Sequence, residues 1–285
     1  MCKMGEEKKE SKRKYYAHRQ GHSQSLSLPQ VKKVFMNDVF SHINENHYLA
    51  EAAGGYTWAK GIWNPNPQTY ILKNLHMENI WPLNNHLMKF DEITFFTIIE
   101  FLYDFVSIPE TEAGHRYPSR FQKKAAQEDY RKRVNELLNH YVLIINGKKT
   151  MYELSKDGEI RESILKGYTE LVENIPKTDD SDNIDSKIQY AISLFLRYGS
   201  SLDEKKDAIR TLGDVLEYLR DLNIIMPKKD DSMLRQILNK FSIRHHDKSQ
   251  LSEYSTEEWY EFFFYTFLAS IRLLLRFKEL PEFEM

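Results

Sequence analysis

Cysteine is almost missing from this sequence. Cys2 is the only one, which excludes an intrachain disulfide and a thiolate-held metal cluster and suits a reducing, cytoplasmic compartment. Net charge is missing too, since 40 basic residues meet 42 acidic ones for a formal charge of −2. Such a chain has no bulk field to draw in nucleic acid or anionic lipid, so an RNA site must be a local cluster. Long uncharged apolar runs are also absent. The most apolar stretch, Trp259 to Phe277, contains Glu261, Arg272 and Arg276, which are costly at a bilayer centre and easily placed at the edge of a protein core. Met1 to Arg19 are charged and lack the apolar centre of a secretory signal. No membrane partner is therefore expected. An internal repeat, a heptad series and a complete metal or nucleotide motif are lacking as well, so no cofactor is expected.

What is present in quantity is apolar and aromatic surface. Hydrophobic residues make up 41% of the chain, with 16 Phe, 17 Tyr and 4 Trp, enough for genuine cores. The length favours two domains of ordinary size. The patterning predicts a mainly α protein: a disordered tail (1–28), an aromatic-rich, mostly helical N-terminal domain (29–140), a small β-hairpin ribbon with its connector (141–176), and a C-terminal helical bundle (177–285).

Val31, Val34, Phe35, Val39 and Ile43 form one apolar stripe after Pro29, which predicts a helix. Gly54 to Pro67 has too many glycines and prolines for a regular element and too many aromatics for a free linker, so it reads as a packed loop. A core helix is expected over 91–107, and a further helix capped by Ser119 and running through Tyr141, with Lys123, Lys124, Arg131 and Lys132 on its exposed face. Asn146-Gly147 and Asp157-Gly158 accept the positive φ of tight turns and predict an antiparallel ribbon. After the polar linker 177–183, one helix carries Ile188, Ile192, Phe195 and Leu196 and stops at Gly199. The next opens with Ser201 and Glu204 in capping-box spacing and buries Ile209, Leu212, Val215, Leu216 and Leu219. A third, from about Asp230, carries Met233, Leu234, Ile237, Leu238 and Phe241. The last opens with Ser255 and Glu258, is apolar nearly all round, and is expected at the centre of the bundle.

Chemistry concentrates in the turn between the last two helices. Ile243-Arg244-His245-His246-Asp247, with Asn239 and Lys240 before it and Lys248 after, gathers cations, two imidazoles, an amide and a carboxylate. A guanidinium clamps phosphate, and an imidazole moves a proton near neutral pH without a metal. That pair suits cleavage of RNA by its own 2′-hydroxyl. The competing reading is structural: Arg244 caps helix-end carbonyls or pairs with Asp247, and the histidines fill polar space at a helix junction. Adjacent His245 and His246 are poorly placed to share one ion, so a metal is not expected. Asp207, Arg210, Asp214 and Glu217 form a polar stripe that ordinarily faces water; if it faces the turn, Asp214 or Glu217 would orient an imidazole.

The helix ending Asn135-Glu136-Leu137-Leu138, the ribbon Tyr152-Glu153-Leu154 with Asp157-Gly158-Glu159-Ile160, and the helix ending in an Arg-His turn before a final apolar helix resemble the HEPN superfamily. More loosely, the same residues resemble the C-terminal domains of bacterial abortive-infection proteins. The resemblance covers about residues 135–277. It implies a helical bundle, often dimeric, of the bacterial defence or toxin type, that binds or cleaves RNA without metal. By position, Arg244 would stabilise the phosphate and His246 or His245 would transfer the proton; apart from the resemblance, Asn239, Asp247, Asp214 and Glu217 are the candidates for a supporting shell. The family sets its histidine a few residues beyond the arginine; here those positions hold Lys248, Ser249 and Gln250. A non-catalytic interaction or dimerisation module, with a structural turn, is the alternative.

Overall fold

A computed structural model describes residues 25–54, 61–111, 118, 120–145, 148–164, 167–240 and 255–279. The protein is mainly helical with small antiparallel sheets, and it divides into two compact units, 1–151 and 152–285. The division falls inside the ribbon, so the ribbon is not a segment separate from both.

In the first unit, α1 runs through three consecutive segments, Leu28–Val34, a π-helical Phe35–Phe40 and Ser41–Glu45. Ser27 and Gln30 form its capping box. The expected stripe is buried at Val31, Phe35, Val39 and Ile43, whereas Val34 is exposed. Leu26, assigned from the sequence to the tail, bridges Tyr141 and donates its N–H to the His140 carbonyl at 2.6 Å. Short helices follow: α2 (Ala50–Ala53), α3 (Pro67–Leu75) and α4 (Leu83–His86). α3 went unassigned in the sequence, although Asn66 caps it by accepting the Thr69 N–H at 2.9 Å. Gly61 must be glycine, because a Cβ there would lie 2.2 Å from the Gly54 nitrogen. Of the aromatic loop, Trp63 is 2% exposed, stacked on Phe101 at 5.4 Å and edge-on to Trp81 and Phe105.

α5 (Glu92–Phe105), capped by Asp91, supplies Phe95, Ile99 and Leu102 to this core. The next helix corrects the sequence reading at both ends. Arg120–Gln122 form strand β2, antiparallel to β1 (Ile108–Glu110), so α6 begins at Lys123 and ends at Leu138, short of Tyr141. β-Pairing with a distant segment overrode a helical pattern. Lys32 is buried, its ammonium donating to the Met88 and Phe90 carbonyls at 2.9 and 2.7 Å. Burial pulls its pKa below the ordinary lysine value, opposed by the nearby Asp91 charge.

The ribbon comprises β3 (Val142–Ile145), β4 (Lys148–Leu154) and β5 (Ile160–Glu162). β4 pairs with β3 as far as Met151 and with β5 from Tyr152 onward. Gly158 adopts φ +88° in the second turn, a conformation that favours glycine. Beyond β5, the second unit contains α7 (Thr169–Glu173), α8 (Ser186–Leu196), α9 (Leu202–Asp221), α10 (Lys228–Lys240) and α11 (Thr256–Glu279). α9 packs on both α8 and α11, taking the middle position that the sequence assigns to α11. Its capping box between Ser201 and Glu204 is made, and its five expected core residues are buried. α8 ends at Leu196, and Gly199, at φ +71°, belongs to the turn after it. On α10, Leu234 and Ile237 are buried but Met233 is 56% exposed, contrary to the expected stripe. α11 buries Phe263, Phe264, Phe267, Leu268 and Ile271, yet leaves Trp259, Phe262 and Leu273 open, so it is not enclosed on all sides.

Candidate functional site

Arg244, His245, His246 and Asp247 lie in 241–254, outside the described residues. Both flanks of the turn are described. α10 reaches Lys240 and α11 starts at Thr256, where the Ser255 hydroxyl meets the Glu258 carboxylate. Asn239 stands in the last turn of α10, its side chain outside the described set. On α9, Asp214 is exposed and Glu217 half-buried. The same stripe carries an Asp207–Arg210 ion pair at the surface, the water-facing arrangement expected of it. α10 is tied to α9 by Arg220, which donates to Asp231 at 2.9 Å, while Arg235 pairs with the other oxygen of Asp231 at 2.9 Å. α10 is thus held to α9 by charge near its start and packed into the core farther along by Leu234 and Ile237.

A cleft of about 700 Å³ opens where the ribbon meets α7 and α8, lined by Lys156, Glu159, Arg161, Glu173, Lys177 and Tyr190 among others. Arg161, on β5, is its anchor. Its guanidinium donates to Glu153 of β4 at 2.8 and 2.9 Å and to Glu173 of α7 at 3.2 Å, and its side chain is only 12% exposed. Lys156 binds the second oxygen of Glu173 at 2.7 Å, and the Ser193 hydroxyl donates to Glu159 at 3.2 Å. Paired charges of both signs define this cleft, so its electrostatics are largely satisfied internally. Sequence reading missed it: the Asp157-Gly158 turn locates the strands, but Glu173 reaches Arg161 from a helix whose docking no local pattern encodes.

The first unit holds a second polar cluster, around Asp129 of α6. One carboxylate oxygen receives His42 Nε2 at 2.9 Å, the Tyr48 hydroxyl at 3.2 Å and Arg133 Nε at 3.3 Å. The amide of Asn46 donates to the His42 carbonyl at 2.8 Å and contacts His42 Nδ1 at 3.2 Å. An amide so oriented has its other hydrogen for Nδ1, which therefore accepts and leaves the ring proton on Nε2, facing Asp129. Burial alone raises the Asp129 pKa, but the hydrogen bond from His42 and the charge and hydrogen bond of Arg133 outweigh it and hold the pKa below the ordinary 3.8. Tyr48 is pushed up, by burial first and by Asp129 second. The cluster ties α1 to α6. The Asp129–Arg133 spacing is readable on one helix, whereas the His42 partner is 87 residues away in sequence.

A pH dependence follows from that depressed pKa. The folded state holds Asp129 ionised more strongly than the unfolded chain does, so its contribution is complete above the unfolded pKa and is lost as pH falls through the lower folded one. Asp129→Ala should lower the melting temperature at neutral pH, and the gap from wild type should close as the buffer is taken below about pH 4. A gap independent of pH down to pH 2 or so would mean the carboxylate is not what stabilises the cluster.

Among the described residues no three His, Cys, Asp or Glu side chains converge as a metal set, and no helix is long and apolar enough to cross a membrane. No family model, curated protein or solved structure matches this chain.

Proposed function

We propose that this chain is a HEPN-like effector of the bacterial defence or toxin type that binds or cleaves RNA without metal, through Arg244 and His246, with His245 as the neighbouring imidazole. What supports the reading is the position of those residues: they occur together between α10 and α11, two helices of one bundle, the first of them tied to α9 near its start through Asp231 and packed into the core by Leu234 and Ile237. Segments presented by a rigid scaffold are where sites tend to be built. In this mechanism Arg244 binds a non-bridging phosphate oxygen. An imidazole removes the 2′-hydroxyl proton, the 2′-oxygen attacks phosphorus, and the bond from phosphorus to the 5′-oxygen breaks as that oxygen takes a proton from an imidazolium. The guanidinium stabilises the charge that accumulates at phosphorus in the transition state. Asn239, Asp247, Asp214 and Glu217 are the candidates for orienting the imidazole.

Full-length protein incubated with single-stranded RNA in excess EDTA is expected to leave 2′,3′-cyclic phosphate ends. Arg244→Ala should reduce cutting at least about a hundredfold, the usual scale for removing a charge-stabilising donor, with the melting temperature unchanged. The exposed apolar side chains of α11 favour a second reading of the same unit, a protein-interaction module whose turn is structural. That reading is the one left if no RNA is cut or bound and Arg244→Ala lowers the melting temperature instead.

A further inference from the structure

Where the head of α7 meets the first half of α11, the chain forms a groove of about 440 Å³, a size common among ligand sites. Three of its lining residues are aromatic and two are glutamates, and among the described residues no lysine, arginine or histidine joins them. A ring pair makes the floor. Tyr168, which precedes the first residue of α7, stacks on Tyr265 of α11 with centroids 4.3 Å apart and planes within 18°. Tyr265 is buried, whereas Tyr168 and Phe262 stay open to the groove. Glu258 and Glu261 stand one helical turn apart on α11, close enough to act on one ligand group. Burial raises the Tyr265 pKa above its ordinary 10, and the Glu261 charge raises it further, so that carboxylate bears on the stacked rings. Arg272, the next cation along the helix, is committed to the Glu170 carbonyl, to which it donates at 2.8 Å. In the Arg161 cleft, by contrast, Glu173 is met by both Arg161 and Lys156. The groove beside α11 has no such cation in its own walls.

We propose that this groove binds an arginine side chain presented by a partner polypeptide. Its walls select a cation, because the negative face of an aromatic ring and a carboxylate both attract positive charge. Its shape selects a guanidinium among cations. That group is planar and weakly hydrated, so it lies on a ring face while its edge donates two parallel N–H bonds to a carboxylate. An ammonium is a strongly hydrated point charge and forfeits both the stack and the paired bonds. A quaternary ammonium keeps the rings but offers the glutamates no donor. Thr266 and Ala269, toward the other end of the groove, are small and leave room for the backbone on either side of the arginine. The proposal stands whether or not the histidine turn cuts RNA.

Calorimetric titration of the full-length protein with the blocked peptide Gly-Gly-Arg-Gly-Gly tests it, beside the same peptide carrying lysine or citrulline and beside tetramethylammonium. The arginine peptide is expected to bind with a submillimolar Kd and to shift the methyl resonances of Thr266 and Ala269. Citrulline, which keeps the shape without the charge, should weaken binding at least about tenfold, and lysine at least about threefold. Glu261→Gln should cost at least about tenfold and Phe262→Ala about threefold, the scales of a charge-assisted hydrogen bond and of one cation–π contact. Ala269→Arg, which supplies a guanidinium to the groove from the chain itself, should abolish binding with the melting temperature unchanged, since Ala269 is exposed. Absence of binding by the arginine peptide overturns the proposal. So does citrulline binding as well as arginine, tetramethylammonium binding more tightly than either, or binding indifferent to Ala269→Arg.

Discussion

Replacing Phe264 by alanine is expected to cost the second unit about 3–5 kcal/mol, the usual range for deleting a fully buried phenyl ring. Phe264 is 0% exposed on α11 and stacks on Phe195 of α8, ring centroids 4.0 Å apart and planes within 8°. The cavity left behind would be walled by side chains committed elsewhere: Phe195 belongs to a helix held against α9, and Phe263 and Phe267 are themselves fully buried. Collapse into the gap is therefore limited, which places the cost high in the range. A domain stable by about 5–15 kcal/mol would lose a large fraction of its margin. Urea titration followed by the fluorescence of Trp259, the single tryptophan beyond Trp81, should show the midpoint falling at an unchanged slope. Phe262→Ala, two residues away on the exposed face, should shift monomer stability by no more than about 0.5 kcal/mol. Equal costs at the two positions would mean that α11 is rotated about its axis relative to the arrangement described.

Arg161→Ala should be the next largest effect, about 2–3 kcal/mol, below the range for a wholly dry ion pair because Glu153 is a quarter exposed. The loss arises chiefly from what remains. Glu153 and Glu173 would face each other across the space vacated by one guanidinium, with Lys156 still on the far oxygen of Glu173. Removing all three charges together, by Arg161→Met with Glu153→Gln and Glu173→Gln, should recover most of the deficit, because desolvated like charges no longer oppose each other. Thermal melts of the single and triple variants check this. A triple variant no more stable than Arg161→Ala would show that the guanidinium acts through packing of its stem rather than through its charge.

Local signals carried much of the helical architecture. Ser201 with Glu204 before α9 works because a cap satisfies backbone donors a few residues away, a physics contained within one turn. The β4–β5 turn was legible for the same reason, Asp157-Gly158 supplying the positive φ. Where the reading failed, a partner distant in sequence had decided the outcome. Arg120 to Gln122 sit in a helical pattern and pair instead with Ile108 to Glu110. Met233 matches the apolar period of α10 and yet lies outside the core. The candidate site divides likewise. Arg244, His245 and His246 were recognisable from residue type and adjacency alone, whereas the Arg161 cleft and the Asp129 cluster each need side chains from separate elements. Which face of α11 stays exposed was hidden because Phe263, Phe264, Phe267 and Leu268, which are buried, are as apolar as Trp259, Phe262 and Leu273, which are not.

By itself the sequence determined the helical class, the ribbon turn at Asp157-Gly158, the capping box of Ser201 with Glu204 and the collection of cations and imidazoles between the last two helices, since each depends on chemistry within a few residues. The tertiary structure decided which helix occupies the middle of the second unit, which face of α11 stays in water and which carboxylates surround Arg161. Those outcomes depend on how whole elements dock, and docking is settled by the sum of many weak contacts between residues far apart in the chain.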